Sequence, residues 1–177
     1  MNGVIIKIVK DKDSKLCNLN RKRVDSLERT EQGIFTVLCM IYDQDKILLQ
    51  DRKKQDWPGF VFPGGHVEKE ESFVKAVIRE MKEETGLTIV APKICGIKQF
   101  QTKNSERYLV VLFKTNQFTG TLTSSEEGEM IWVKREELDQ YPLVEDFKEL
   151  LKVFDDDELN EFQYERINEN QGVVRLY

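Results

Sequence analysis

Three glutamates, Glu80, Glu83 and Glu84, stand at i, i+3 and i+4 in a stretch that reads as helix. At about 100° per residue this spacing projects all three carboxylates from one face, with the apolar stripe of Val74, Val77 and Met81 beside it. Like charges so placed mildly destabilise a bare helix, and a hard divalent cation reverses the sign of that cost. Mg²⁺ takes oxygen ligands, keeps several waters and commonly bridges carboxylates to a substrate's phosphates. The chemistry indicated is therefore polyphosphate chemistry at a cation. Just ahead of the helix, Pro63-Gly64-Gly65 reads as a sharp turn whose bare backbone lets a main-chain carbonyl approach a metal. Arg79 lies off the carboxylate face, placed to orient Glu71 or a neighbouring glutamate.

The wider spacing is more specific. Gly65, Glu71, Arg79-Glu80-Met81, Glu83-Glu84 and Gly86-Leu87 follow G-x5-E-x7-R-E-U-x-E-E-x-G-U, where U is bulky and apolar, with every constrained position filled. An EMKEE run alone is ordinarily a solvated helix with i,i+4 pairs. The glycine pair before it, Glu71 and Arg79 at set distances, and the closing Gly86-Leu87 reverse that reading.

The elements that must hold these residues are legible in outline. Apolar residues at helical spacing predict a helix from about Ser72 to Thr85, ended by Gly86. Ile34 to Asp43 and ILLQDR read as a hairpin of strands with Asp43, Gln44 and Asp45 at the bend, and VFPGGH as a short strand ending in a glycine turn. ICGIKQF, RYLVVLFK and EMIWVK are further strands. A last helix is expected over Val144 to Phe154, followed by an acidic stretch from Asp155 that reads as a solvated tail or edge. The order implies an α/β (α+β) domain, a mixed sheet covered by helices.

Composition bounds the rest. The 177 residues suit one domain, and 40% hydrophobic content is enough for its core. Residues 1–30 carry eight Lys/Arg against four Asp/Glu, so the remainder holds −9 of a net −5. That balance argues against a nucleic-acid polymer as partner. No apolar run is long enough to span a membrane, and the start, MNGVIIKIVKDKDSK, lacks a secretory h-region. Cys17, Cys39 and Cys95 form no C-x-x-C pair, which suits a reducing, cytoplasmic setting.

Gly65–Leu87 resembles the Nudix box, the signature of the Nudix hydrolase superfamily. The likeness extends over about residues 28–155, including QDRKKQDWPGFVFPGGHVE before the box and EEGEMIWVKREEL after it. It is nearest in kind to the MutT-like 8-oxo-dGTP diphosphatases of Gram-positive bacteria. The resemblance implies the Nudix fold, a mixed β-sheet sandwiched between α-helices, over residues 28–177. Residues 1–27 are then an N-terminal extension that could add an edge strand through Val4 to Val9, mediate self-association, or reflect an upstream start codon.

The resemblance also implies Mg²⁺, with Mn²⁺ as a substitute, held by Glu83, Glu84 and the Gly64 carbonyl. Glu80 would bind metal or orient the attacking water. Glu127, five residues before Trp132, would be a metal ligand or general base, with Glu126 and Glu129 close enough to blur the choice. Arg52 is placed to hold a phosphate. Lys53 and Lys54 read as exposed loop lysines, and His66 as a solvated turn residue. Asp146, with Glu145 beside it, falls where such enzymes read the purine edge, although both acids also suit a helix N-terminus. Trp57 and Phe35 are candidates to stack on a base or to pack at the rim. The expected reaction converts a nucleoside triphosphate to the monophosphate and pyrophosphate. Another nucleoside diphosphate derivative such as ADP-ribose, and a non-catalytic nucleotide-sensing module, stand as alternatives. A monomer and a homodimer are equally compatible with the sequence.

Overall fold

The computed structural model describes residues 4–7, 30–52, 58–168 and 171–177. Five strands come first: β1 (Val4–Lys7), β2 (Thr30–Asp43), β3 (Lys46–Arg52), β4 (Gly59–Val61) and β5 (Gly64–His66). Helix α1 (Phe73–Thr85) follows, then β6 (Thr88–Ile89), β7 (Lys93–Gln101), β8 (Arg107–Thr115), β9 (Phe118–Thr119) and β10 (Gly128–Lys134). A 3₁₀ turn (Arg135–Gln140), α2 (Phe147–Asp155), β11 (Glu161–Asn168) and β12 (Gln171–Leu176) complete the chain.

The main sheet runs β10-β3-β2-β8-β7-β11-β12, with β1 and β5 on β2 and β4 on β3. It is mixed: β2 is parallel to β8 and β7 to β11, while the other pairs are antiparallel. Alternation along the strands feeds two cores. Val37, Cys39 and Ile41 of β2 and Val111 and Phe113 of β8 meet Ala76, Val77 and Met81 of α1. Met40, Val110 and Leu112 meet Phe147, Leu150, Val153 and Phe154 of α2 on the other face. The sheet is thus sandwiched between the helices, as the sequence pattern implied.

Several elements depart from expectation. Strand β2 begins at Thr30, because the polar TEQG stretch pairs through its backbone with β1. The expected domain boundary at residue 27 falls outside the described residues. Gly64-Gly65-His66 is a strand on β2 and not a turn. A Cβ at Gly64 would collide with the Val37 carbonyl, so only glycine lets the two backbones close up. Helix α2 starts three residues late because Val144 N–H is bound to the Phe60 carbonyl. Of the two readings of the acidic segment after Asp155, tail or edge, the edge holds. Hairpin β11–β12 extends the sheet and buries Phe162.

Candidate active site

Helix α1 is well terminated. The Ser72 hydroxyl accepts from Lys75 N–H at its start, and Gly86 takes the left-handed conformation, φ 73°, at its end. Its buried face differs from the expected stripe: Val74 is exposed, while Ala76, Val77, Met81, Glu84 and Thr85 are buried. The reason is helical phase. Glu84 lies three and seven residues beyond Met81 and Val77, on the same line of the helix as the core. Glu80 is next to that line and mostly buried, whereas the Glu83 side chain is 59% exposed. The three glutamates therefore fan from core to solvent instead of sharing one face.

Each carboxylate has a distinct environment. Glu84 accepts Gly64 N–H at 2.9 Å. Burial, reinforced by Glu127 and Glu80, pushes its pKa up to about 8. The Glu127 carboxyl lies beside it, close enough to add to that rise. Burial also raises Glu80. Gly65 packs directly on Glu80; a Cβ there would land on the carboxylate.

Arg79 ties the rest together. Its guanidinium donates to both oxygens of Glu71, at 3.0 and 2.8 Å, and to Glu80 at 2.8 Å, Glu83 at 3.0 Å and the His66 carbonyl at 2.9 Å. These carboxylates raise its own pKa, and its guanidinium in turn draws that of Glu71 down. The sequence offered Glu71 or a neighbouring glutamate as partner; the geometry engages three acids and a backbone oxygen at once.

A cleft of about 550 Å³ opens where β2 and β3 splay apart. Its acidic end is lined by Gly64, Gly65, Glu80, Glu84 and Glu127. Glu126 and Glu129 do not line it, and neither does Glu83. Arg52 and Gln50 form one wall. The other end is built by Lys98, Phe100, Tyr108 and Val110, where the Phe100 and Tyr108 rings stack at 4.9 Å, nearly parallel. Asp146 lies outside the lining but close enough to feel the Lys98 charge; burial raises its carboxyl. It occupies the N-cap of α2 in a left-handed conformation, φ 61°, with no capping bond from its side chain. Glu145 is exposed, Phe35 packs on Phe73 at 6.3 Å, and Trp57, Lys53 and Lys54 lie outside the described residues.

Sequence reasoning missed two groups. Phe100, Tyr108 and Lys98 read only as strand residues, since strand pairing is invisible at that level. Gln50 is 3% exposed and its amide nitrogen is buried without a hydrogen-bond partner among the described residues. Such a group is costly unless something binds it.

The donor set suits a hard cation. It is all oxygen, it gathers buried carboxylates around a glycine backbone, and the mutual repulsion of Glu80, Glu84 and Glu127 is what a cation would relieve. Among the described residues no ready-made cage of three acids exists, because Arg79 holds Glu80 and Glu83. No helix among the described residues is long and apolar enough to cross a membrane.

Residues 34–154 match the NUDIX domain family. The chain is 32% identical over 110 residues to an uncharacterised Nudix hydrolase, YvcI, of Bacillus subtilis, covering 59% of this chain and 68% of that one. It is 34% identical over 121 residues to a CTP pyrophosphohydrolase of Escherichia coli, covering 67% and 89%. Its fold is similar to the MutT protein of Bacillus halodurans, with TM-score 0.66 and 28% identity over 81% of this chain and 97% of that one. A buried carboxylate cluster on a capped helix, a cleft reaching from it to an aromatic floor, and these likenesses agree: the chain belongs to the Nudix hydrolases, proteins that act on pyrophosphate bonds.

Proposed function

We propose that this protein hydrolyses 8-oxo-dGTP to the monophosphate and pyrophosphate, removing oxidised nucleotides in the cytosol. The observation that carries the reading is the continuity of the cleft. One cavity joins Glu80, Glu84 and Glu127 to the Phe100–Tyr108 stack, so a polyphosphate and a base can be engaged together. Glu83, Glu84, Glu80, Glu127 and the Gly64 carbonyl would hold Mg²⁺ or Mn²⁺. When bound, the cation would neutralise phosphate charge and make water a better nucleophile. Glu127 accepts the proton lost by the attacking water, with Glu80 as the second candidate for that task. Arg79 positions Glu80 and Glu83 without touching substrate. Arg52 holds a phosphate, Asp146 with Glu145 reads the base, and Trp57 is a candidate to stack on it. A full set of box carboxylates speaks against a non-catalytic sensor.

The test is a panel of 8-oxo-dGTP, dGTP, CTP and ADP-ribose incubated with Mg²⁺, with pyrophosphate and phosphate release followed separately. The expected result is the highest kcat/KM on 8-oxo-dGTP with pyrophosphate as product. Faster turnover of ADP-ribose or CTP would replace 8-oxo-dGTP as the substrate. No turnover of any of them would sink the enzymatic reading.

A further inference from the structure

Lys98 belongs to the cleft but not to the chemistry at its acidic end. In β7 it pairs with Val110 of β8 on one side and Phe162 of β11 on the other. Phe100, two residues on, pairs with Tyr108. Strand alternation therefore puts Lys98 and the Phe100–Tyr108 stack on the same face, as part of one wall. The ammonium rests 4.9 Å over the Phe162 ring. No carboxylate among the described residues is within ion-pair distance of it, and Asp146 acts only through longer-range attraction. Burial pulls the Lys98 pKa down. A methionine would fill this space without desolvating a charge. A half-buried cation facing a cavity with no ion-pair partner among the described residues marks a place where a ligand can bring an acceptor.

We infer that Lys98 selects the nucleobase, favouring bases with a carbonyl at purine C6 or pyrimidine C4 over bases with an amine at that position. The inference rests on the nucleoside triphosphate reading above. An ammonium has three donors and no acceptor, so the ligand atom it meets must accept. Exocyclic atoms project furthest from a base ring and reach the end of the cleft first. A carbonyl there accepts from Lys98. An amine there turns N–H toward N–H and leaves the ammonium without a partner, the kind of mismatch that polar sites reject most strongly. Asp146, at the start of α2, is on hand to accept from the adjacent ring N–H. At that position hypoxanthine, guanine, 8-oxoguanine and uracil present a carbonyl beside a ring N–H; adenine and cytosine present an amine there.

Two substrate pairs isolate this one difference: ITP against ATP, and UTP against CTP. With the full chain and Mg²⁺, kcat/KM is expected to favour ITP and UTP by about tenfold or more. IMP is expected to bind more tightly than AMP by calorimetry. In Lys98→Met both ratios fall toward one, mainly through slower carbonyl substrates, while Lys98→Arg keeps their direction. A melting curve matching that of the unaltered protein shows that the variants are folded, and Lys98→Arg supplies the answer if Lys98→Met is not. Equal turnover within each pair, or ratios unchanged in Lys98→Met, would overturn the inference. Equal slowing of ITP and ATP in Lys98→Met would overturn it too, by making Lys98 a phosphate anchor. If none of the four nor 8-oxo-dGTP is hydrolysed, the nucleoside triphosphate reading itself falls; binding of IMP and AMP then shows whether the base preference falls with it.

Discussion

The two ends of the cleft are built in opposite ways. The acidic end draws Gly64, Gly65, Glu80 and Glu84 from one short stretch of chain, with Glu127 as its single distant member. The aromatic end takes Lys98 and Phe100 from β7 and Tyr108 and Val110 from β8, with Phe162 of β11 packed behind Lys98. Charge dominates the first end and aromatic surface the second. A helix can fix several carboxylates through its own periodicity, whereas a flat apolar floor needs neighbouring strands. The difference teaches where chemistry and selectivity can vary separately: altering one end should leave the other standing.

The sharpest break should come from Glu84→Gln. Loss of this carboxylate removes a proposed cation ligand, for an expected fall in kcat of about 10³ or more. The amide oxygen can still accept Gly64 N–H, so the metal-free melting temperature should hold or rise. Arg79→Met comes next. Freeing Glu71, Glu80 and Glu83 together should weaken Mg²⁺ binding and activity by about 10–100-fold, as loss of an orienting partner does. Titrating Mg²⁺ against activity separates affinity from rate.

The pH dependence of metal-free stability distinguishes the ends thermodynamically. The Glu84 pKa is raised from 4.5 to about 8 by burial. A raised acid contributes stability that is fully present below its unfolded value and lost as pH climbs through its folded value. Stability should therefore decline between pH 4.5 and about 8, by at most about 1.4 kcal/mol per pH unit. Mg²⁺ should raise the melting temperature more at pH 8.5 than at pH 5, because cation and proton compete for the site. A flat profile would remove Glu84 from its buried, protonated state.

At the other end Phe100→Ala should raise KM for nucleotides by about tenfold through lost stacking, with kcat little changed. A fall in kcat alone would mean the two ends are coupled. The smallest effect belongs to Gln50→Leu. Removing an unpartnered buried amide should leave stability unchanged or about 1 kcal/mol higher, measured by urea unfolding, and raise KM by about two- to fivefold if the amide serves the substrate.

Legibility in the sequence follows the same divide. Glu80, Glu84, Arg79 and their cap Gly86 were readable because helix geometry ties position to spacing over a few residues. The finer fan of the glutamates was not, since it depends on which helix line meets the sheet; exposed Val74 shows that apolar type alone does not settle this. The glycine pair was read as a turn with its backbone bare to a metal; it is a strand instead, because its partner, β2, lies far back in the chain. Glu127 could not be separated from Glu126 and Glu129 by counting; only the loop's path to Glu84 distinguishes it. Nothing in ICGIKQF or RYLVVLFK announced that Phe100 and Tyr108 would be partners, since register is a property of two strands. The segment after Asp155 read as a tail or an edge by its charge; buried Phe162 and the pairing with β7 decide for the edge.

That hairpin sets an order of assembly. Strand β11 pairs in parallel with β7, so Phe162 reaches the Lys98 wall only after a long stretch of intervening chain has been made. During synthesis from the N-terminus, α1 and its carboxylates emerge well before this last support. A nascent chain would thus possess its carboxylate pole before its aromatic pole is fully backed, and any choice of base made there would be acquired last.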